Sequence, residues 1–151
     1  MASYEPALLV RDARARYFAE NGFGDGGYQD RWVVLRAAGL PVAVFPNTRQ
    51  RVRSVRIHDL HHLLTGYDTD WTGEAEIAAW ELASGCRDHV AAWLLNLGAA
   101  LIGLLVAPRA VWRAFARGRA SRNLYEREWN DGILDRSLGE LRRELGLDAA
   151  H

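Results

Sequence analysis

Apolar residues recur at helical spacing along most of the chain. Between Tyr4 and Ala19, the positions Leu8, Leu9, Ala13, Tyr17 and Phe18 predict a first helix. Asn21 to Gly27 then places four glycines in seven residues, which favours a turn or mobile loop. A phosphate-binding loop is the sharper reading, but no strand precedes it and no Gly-Lys-Ser/Thr follows. A second helix is expected from Tyr28 to Ala38, with Trp32, Val33 and Leu35 facing inward. Leu40 to Pro46 is short, apolar and bracketed by prolines, so it is either extended or a helical turn. Nothing else alternates with period two, which leaves a sheet without a partner for it.

The third helix is expected from near Thr48 to Gly66, carrying Val52, Val55, Ile57, Leu60, Leu63 and Leu64. A fourth starts at Thr72 or Gly73, with the Thr72 hydroxyl as its cap, and runs to Gly85. Val90 to Ala107 is apolar except for Asn96, Gly98 and Gly103. It sits at the lower edge of transmembrane length, which needs about 20 residues. A buried core helix and the wall of a lipid pocket are its other two readings. Pro108 fits the first position of a sixth helix reaching Arg117. Ser137-Leu138-Gly139-Glu140 fits a capping box opening a last helix that Gly146 ends. The whole reads as all-α: one domain over residues 1–151, a single bundle of about six to seven helices.

Composition changes this little. The 151 residues are 49% hydrophobic and 25% charged, ordinary for a globular protein. A formal net charge of zero gives no electrostatic case for nucleic acid. Every basic side chain other than histidine is arginine. One cysteine, Cys86, excludes an internal disulfide. The start, Met1 to Pro6, lacks the pattern of a signal peptide, and a cytoplasmic location is expected.

Candidate chemistry gathers in one stretch. His58, His61 and His62 fall within the third helix, and His58 and His62 stand four residues apart. That spacing stacks two imidazoles on one helix face. Asp59 can reach an ion from the side or act as a base. Glu74 follows at the start of the next helix, where the helix dipole keeps a carboxylate ionised. These are good donors for zinc and other divalent first-row metals, in a site between two consecutive helices. Tyr67, Trp71 and Trp80 are candidate aromatic walls. The same residues also read as solvated or mutually paired side chains. His61 points off the His58/His62 face, toward a supporting role or the surface; His89 and His151 show no partner. Asp59 in place of glutamate departs from the zinc peptidase pattern His-Glu-x-x-His. An HD-type phosphohydrolase needs a histidine upstream of the His-Asp pair, and none precedes His58.

His58-Asp59-x-x-His62, eleven residues, then Glu74 resembles the His-Asp-x-x-His-x11-Glu motif of the Coq4 family of ubiquinone biosynthesis proteins. The flanks Leu63-Leu64-Thr65-Gly66 and Gly73-Glu74-Ala75-Glu76, and the ending from Leu138 to Leu147, are similar too. The resemblance is strongest over residues 42–147. It implies an all-α fold and a metal, most often taken as Zn2+, held by His58, Asp59, His62 and Glu74. It implies oxidative removal of the carboxyl carbon from a polyprenylated hydroxybenzoate-type precursor; if the protein is such an enzyme, Asp59 or His61 is the expected catalytic residue moving protons. A non-catalytic scaffold that binds a prenyl lipid for other quinone-biosynthesis enzymes, with a structural metal, is the alternative. A metal-dependent hydrolase of unrelated substrate is a third reading. The chain is shorter than typical members, so a second subunit of a homodimer is a candidate source of the missing lipid shell. A lipid-tailed substrate implies a peripheral position on the inner membrane face, with Arg109, Arg113 and Arg117 against headgroups and Trp112 and Phe115 dipping in.

Overall fold

The computed structural model describes residues 4–37 and 40–147. Met1 to Ser3, His151 and Ala38, the expected end of the second helix, lie outside the described residues. The described residues are mainly helical and form six α-helices and one hairpin: α1 Val10–Asn21, β1 Trp32–Ala37, β2 Leu40–Pro46, α2 Arg49–Thr65, α3 Trp71–Ser84, α4 Val90–Val106, α5 Pro108–Arg119 and α6 Leu138–Leu145. Two short 3₁₀ turns, Leu124–Glu126 and Asp131–Asp135, precede α6.

Two expectations near the start are corrected. The first helix begins at Val10, not Tyr4, because the preceding backbone is committed elsewhere. Leu8 O accepts from Leu138 N, and Val10 N donates to Arg136 O. The expected helix from Tyr28 to Ala38 is instead a loop followed by β1. β1 pairs antiparallel with β2, Trp32 opposite Pro46 and Val34 opposite Val44. The apolar run of β2 therefore had its partner immediately upstream. In a two-stranded sheet both strands are edges, so Pro41 and Pro46 are tolerated.

The core forms where α2, α3, α5 and α6 meet. Leu60 and Leu63 of α2, Ile77 and Trp80 of α3, and Leu138 and Leu141 of α6 are fully buried. Each contributes roughly 1.5–3 kcal/mol by leaving water. α6 has its full capping box, and Gly146 ends it in the left-handed region. Arg142 of α6 donates to Leu63 O and Leu64 O, and Arg117 of α5 donates to Thr65 O. Two arginines thus satisfy the carbonyls left free at the end of α2. Arg117 is an internal brace, so it does not stand with Arg109 and Arg113 in the expected headgroup-facing row.

The apolar run around α4 is neither a core helix nor a span. Only Ala92, Asn96, Ala100 and Gly103 are buried. Leu94, Leu97, Leu101, Leu105 and Val106 are exposed, and so are Trp112 and Phe115 of α5, which stack on each other. Small residues make the contact: a Cβ on Gly103 would sit 2.3 Å from that of Ala75. Among the described residues, no helix is long and apolar enough to cross a membrane.

Candidate metal centre

α2 presents His58 and His62 one turn apart, and Gly66 ends the helix in the left-handed region. The chain then folds back across the start of α3. A side chain on Gly73 would collide with the backbone of Asp68, 2.1 Å from its carbonyl oxygen. Asp70, not Thr72, caps α3 by accepting from Gly73 N at 2.7 Å. This packing sets Glu74, in the first turn of α3, against the two histidines.

His58 Nε2 and His62 Nε2 lie 3.2 Å apart. Glu74 stands 3.6 Å from the first and 3.4 Å from the second through its two oxygens. His62 is buried, and Glu74 is partly open to solvent. Neighbours fix the proton positions. Tyr67 O can only accept, so His62 Nδ1 carries the hydrogen of their 3.0 Å bond. His58 Nδ1 donates to Glu81 Oε1 at 2.9 Å. The two Nε2 atoms therefore face one another and the Glu74 carboxylate, and a proton on His58 Nε2 bridges them where a metal ion would otherwise sit. Burial opposes charge on His58, but Glu81 and Glu74 outweigh it and hold its pKa well above the ordinary value. Burial likewise opposes charge on Glu74, but hydrogen bonds to His58 and His62 bring it down to about 2. The arrangement wants a cation between the three groups.

The residues fit a metal ion. Ligand atoms 2.0–2.1 Å from a tetrahedral zinc stand about 3.3 Å from each other. The observed separations of 3.2, 3.4 and 3.6 Å lie close to that edge length. His58, His62 and Glu74 are also the described histidines and acids whose ligand atoms converge within 4.8 Å.

The other expected site residues fall outside this group. Asp59 accepts a short hydrogen bond from the Tyr28 hydroxyl. Burial raises its pKa, against that bond and the nearby His58 and His62. His61 is fully buried, so the surface reading is corrected. Its Nδ1 donates to Glu81 at 2.6 Å, and its Nε2 accepts from Leu124 N at 3.0 Å. With both nitrogens engaged, His61 holds structure behind the triad. Trp80 is buried against Ser121 and forms no wall; Trp71 is exposed beside Glu74. His89 has a partner after all: the Ser54 hydroxyl donates to Gln50 O, so it accepts from His89 Nδ1 at 2.9 Å.

Sequence reading missed Glu81, the hub of the site. One oxygen accepts from His58 and His61, the other from Asn96 and the Tyr125 hydroxyl. Those bonds saturate its acceptor capacity. Burial raises its pKa, but His58 and His61 outweigh this and keep it ionised, well below the usual carboxylate range. A carboxylate behind a ligating imidazole fixes its tautomer and raises its basicity. Glu81 lies two turns after Glu74 on the same helix face, and that spacing was its available signal. Cys86 nearby is buried; burial and Glu81 push its thiol up to about 12, away from reactivity.

No protein-family model matches the chain, and no curated protein or solved structure matches it.

Proposed function

We propose that the protein is a metal-dependent member of prenylated-quinone biosynthesis. It acts on the head group of a polyprenylated hydroxybenzoate-type lipid, as the likeness to the Coq4 motif implies. The observation that carries the reading is the double role of Glu74. It belongs to the convergent His58/His62/Glu74 group, and it lines a cavity of about 360 Å3. The other walls include Trp71, Ala75, Ala99 and Ile102. Its wall residue Ile102 is itself exposed on α4, as are Leu101 and Leu105. A head group beside the triad would leave its tail on an apolar surface.

His58, His62 and Glu74 would hold a divalent ion, Zn2+ by donor type and spacing. Bound there, the ion supplies Lewis acidity toward a carboxylate or ring oxygen. Glu81 holds His58 in the ligating tautomer, and Tyr67 O does the same for His62. Trp71 and Ile102 flank the space where the substrate ring would enter. Asp59, with Tyr28 on its oxygen, is a further carboxylate within electrostatic reach of His58, His62 and Glu74 for holding a proton. Three convergent protein ligands favour the catalytic reading, because such sites keep a position open, whereas structural zinc sites close with four. The alternative is a prenyl-lipid scaffold for other quinone-biosynthesis enzymes, favoured by the extent of the exposed α4 face. In either case the protein sits peripherally on the inner membrane face, with Arg109 and Arg113 available to anionic headgroups.

The test has two arms. Protein purified without chelators should carry close to one metal per chain by elemental analysis. His62→Ala and Glu74→Ala should lose it, while Asp59→Asn keeps it. Loss in Asp59→Asn equal to that in His62→Ala would restore Asp59 as a ligand. The second arm incubates metal-loaded and Glu74→Ala protein with a geranylated 4-hydroxybenzoate in vesicles and follows carbon dioxide release. Metal-dependent release supports the enzyme; binding of the lipid without release in both supports the scaffold.

A further inference from the structure

Tyr28 belongs to two places. Its hydroxyl meets Asp59 beside the metal-ligand candidates, and its ring lines a separate cleft of about 810 Å3 between α1, the glycine loop and the segment around Trp129. That size is typical of a small-molecule site. Three arginines line it. Arg11 pairs with Asp135. Arg14 and Arg56 have no carboxylate partner among the described residues; what they have is aromatic rings. The Arg14 guanidinium lies 5.9 Å from the centre of the Phe18 ring. Arg56 has two such neighbours, Tyr28 at 5.1 Å and Trp129 at 5.7 Å. The Trp129 indole is itself held, donating to Asp131 at 3.1 Å.

A cation–π contact with a ring engages no carboxylate, which leaves the planar N–H edge of each guanidinium without an acidic partner among the described residues. That edge matches a carboxylate or phosphate with two parallel hydrogen bonds. A second cleft of about 520 Å3 shares Tyr28, Arg56 and Trp129 and adds Arg31, Arg49 and Arg53. Of the six arginines that line the two, Arg11 and Arg53 are paired with Asp135 and Asp88, which leaves Arg14, Arg31, Arg49 and Arg56 with three lining aspartates, Asp25, Asp30 and Asp131. Positive charge is thus concentrated over rigid aromatic walls.

We infer that this cleft binds a small-molecule oxyanion, carboxylate or phosphate, carried on an aromatic ring. Arg14 and Arg56 anchor the anion, and Phe18, Tyr28 and Trp129 hold the ring. The site is separate from His58, His62 and Glu74 and stands whether or not they hold a metal.

The test titrates the full-length, isotopically labelled protein with benzoate, phenyl phosphate and, as the neutral control, benzyl alcohol. The signal followed is the Trp129 indole N–H resonance. Saturable shifts are expected with one or both anions, and which one binds identifies the oxyanion. Arg56→Gln and Arg14→Gln should each weaken binding at least tenfold while circular dichroism stays unchanged. Arg56→Lys should also weaken it, because lysine keeps the charge and loses the planar edge. His62→Ala should bind as the wild type does. Equal binding of benzyl alcohol, undiminished binding in both glutamine variants, or shifts confined to residues around Glu74 would overturn the inference.

Discussion

α2 and α4 are both 17 residues long, and each inverts what its sequence suggests. α2 is studded with arginine and histidine, yet Ser54, His61, His62 and Thr65 are buried along it. α4 is apolar almost throughout, yet most of its large side chains face outward. The difference lies in partners. Each buried nitrogen of His61 and His62 has a specific neighbour, so burial leaves little unsatisfied. The buried strip of α4 is Ala92, Asn96, Ala100 and Gly103, and it is too narrow to take the leucines in, which stay exposed. Burial in this protein follows complementarity, not average hydrophobicity. An exposed apolar face of this extent marks an interaction surface.

The largest effect should come from the polar side of this comparison. Glu81→Ala removes a charge at 0% exposure and strands His58, His61, Asn96 and Tyr125. Removing one partner from a buried charged network costs about 3–5 kcal/mol, read from urea denaturation. A loss below about 1 kcal/mol would mean that the network does not hold α2 to α3. On the apolar side of α2, Leu60→Ala should cost about 2–5 kcal/mol through a cavity, because Leu60 is fully enclosed.

The metal candidates were legible because they are local. A four-residue spacing on α2 pairs His58 with His62, and Glu74 comes from the start of the very next helix, so a single turn between α2 and α3 completes the group. Glu81 was legible in spacing only; its bond to His61 depends on how α3 packs against α2. The Tyr28–Asp59 bond joins residues 31 apart across a loop, and no local pattern announces it. The hairpin was misread because Trp32-Val33-Val34-Leu35 is continuously apolar and shows neither period. α4 was opaque for the same reason: an all-apolar helix carries no record of which side faces water. Asn96 was its one clue, since a lone polar residue there marks the side that reaches Glu81.

A smaller effect should appear with pH. Burial holds the His89 imidazole below its ordinary value of about 6.5, and the nearby Arg53 adds to this. The unfolded chain therefore takes up a proton before the folded one does. Stability from neutral His89 is present above about 6.5 and is lost as pH falls toward the depressed folded value. His58 runs the other way. Its contribution is present below its unfolded value and is lost as pH rises through its raised folded value. Comparing wild type with His89→Gln at pH 7.5 and 5.5 cancels the His58 part. The variant should lose less stability on acidification, and an equal loss would show that His89 takes up its proton at the same pH folded and unfolded.

The smallest effect on stability should come from the outer face of α4, and it sharpens the comparison most. Leu105 is 87% exposed, so Leu105→Glu breaks no packing and should move the unfolding free energy by no more than about 0.5 kcal/mol. The same change at Leu60 would unfold the protein. If the face lies against lipid, Leu105→Glu should also sharply reduce co-sedimentation with vesicles containing anionic phospholipid, because a carboxylate there meets both hydrocarbon and negative headgroups. Unchanged stability with lost vesicle binding would assign the face to the membrane. A drop of 2 kcal/mol or more would instead place Leu105 in a protein contact, as burial by a second copy of the chain would produce.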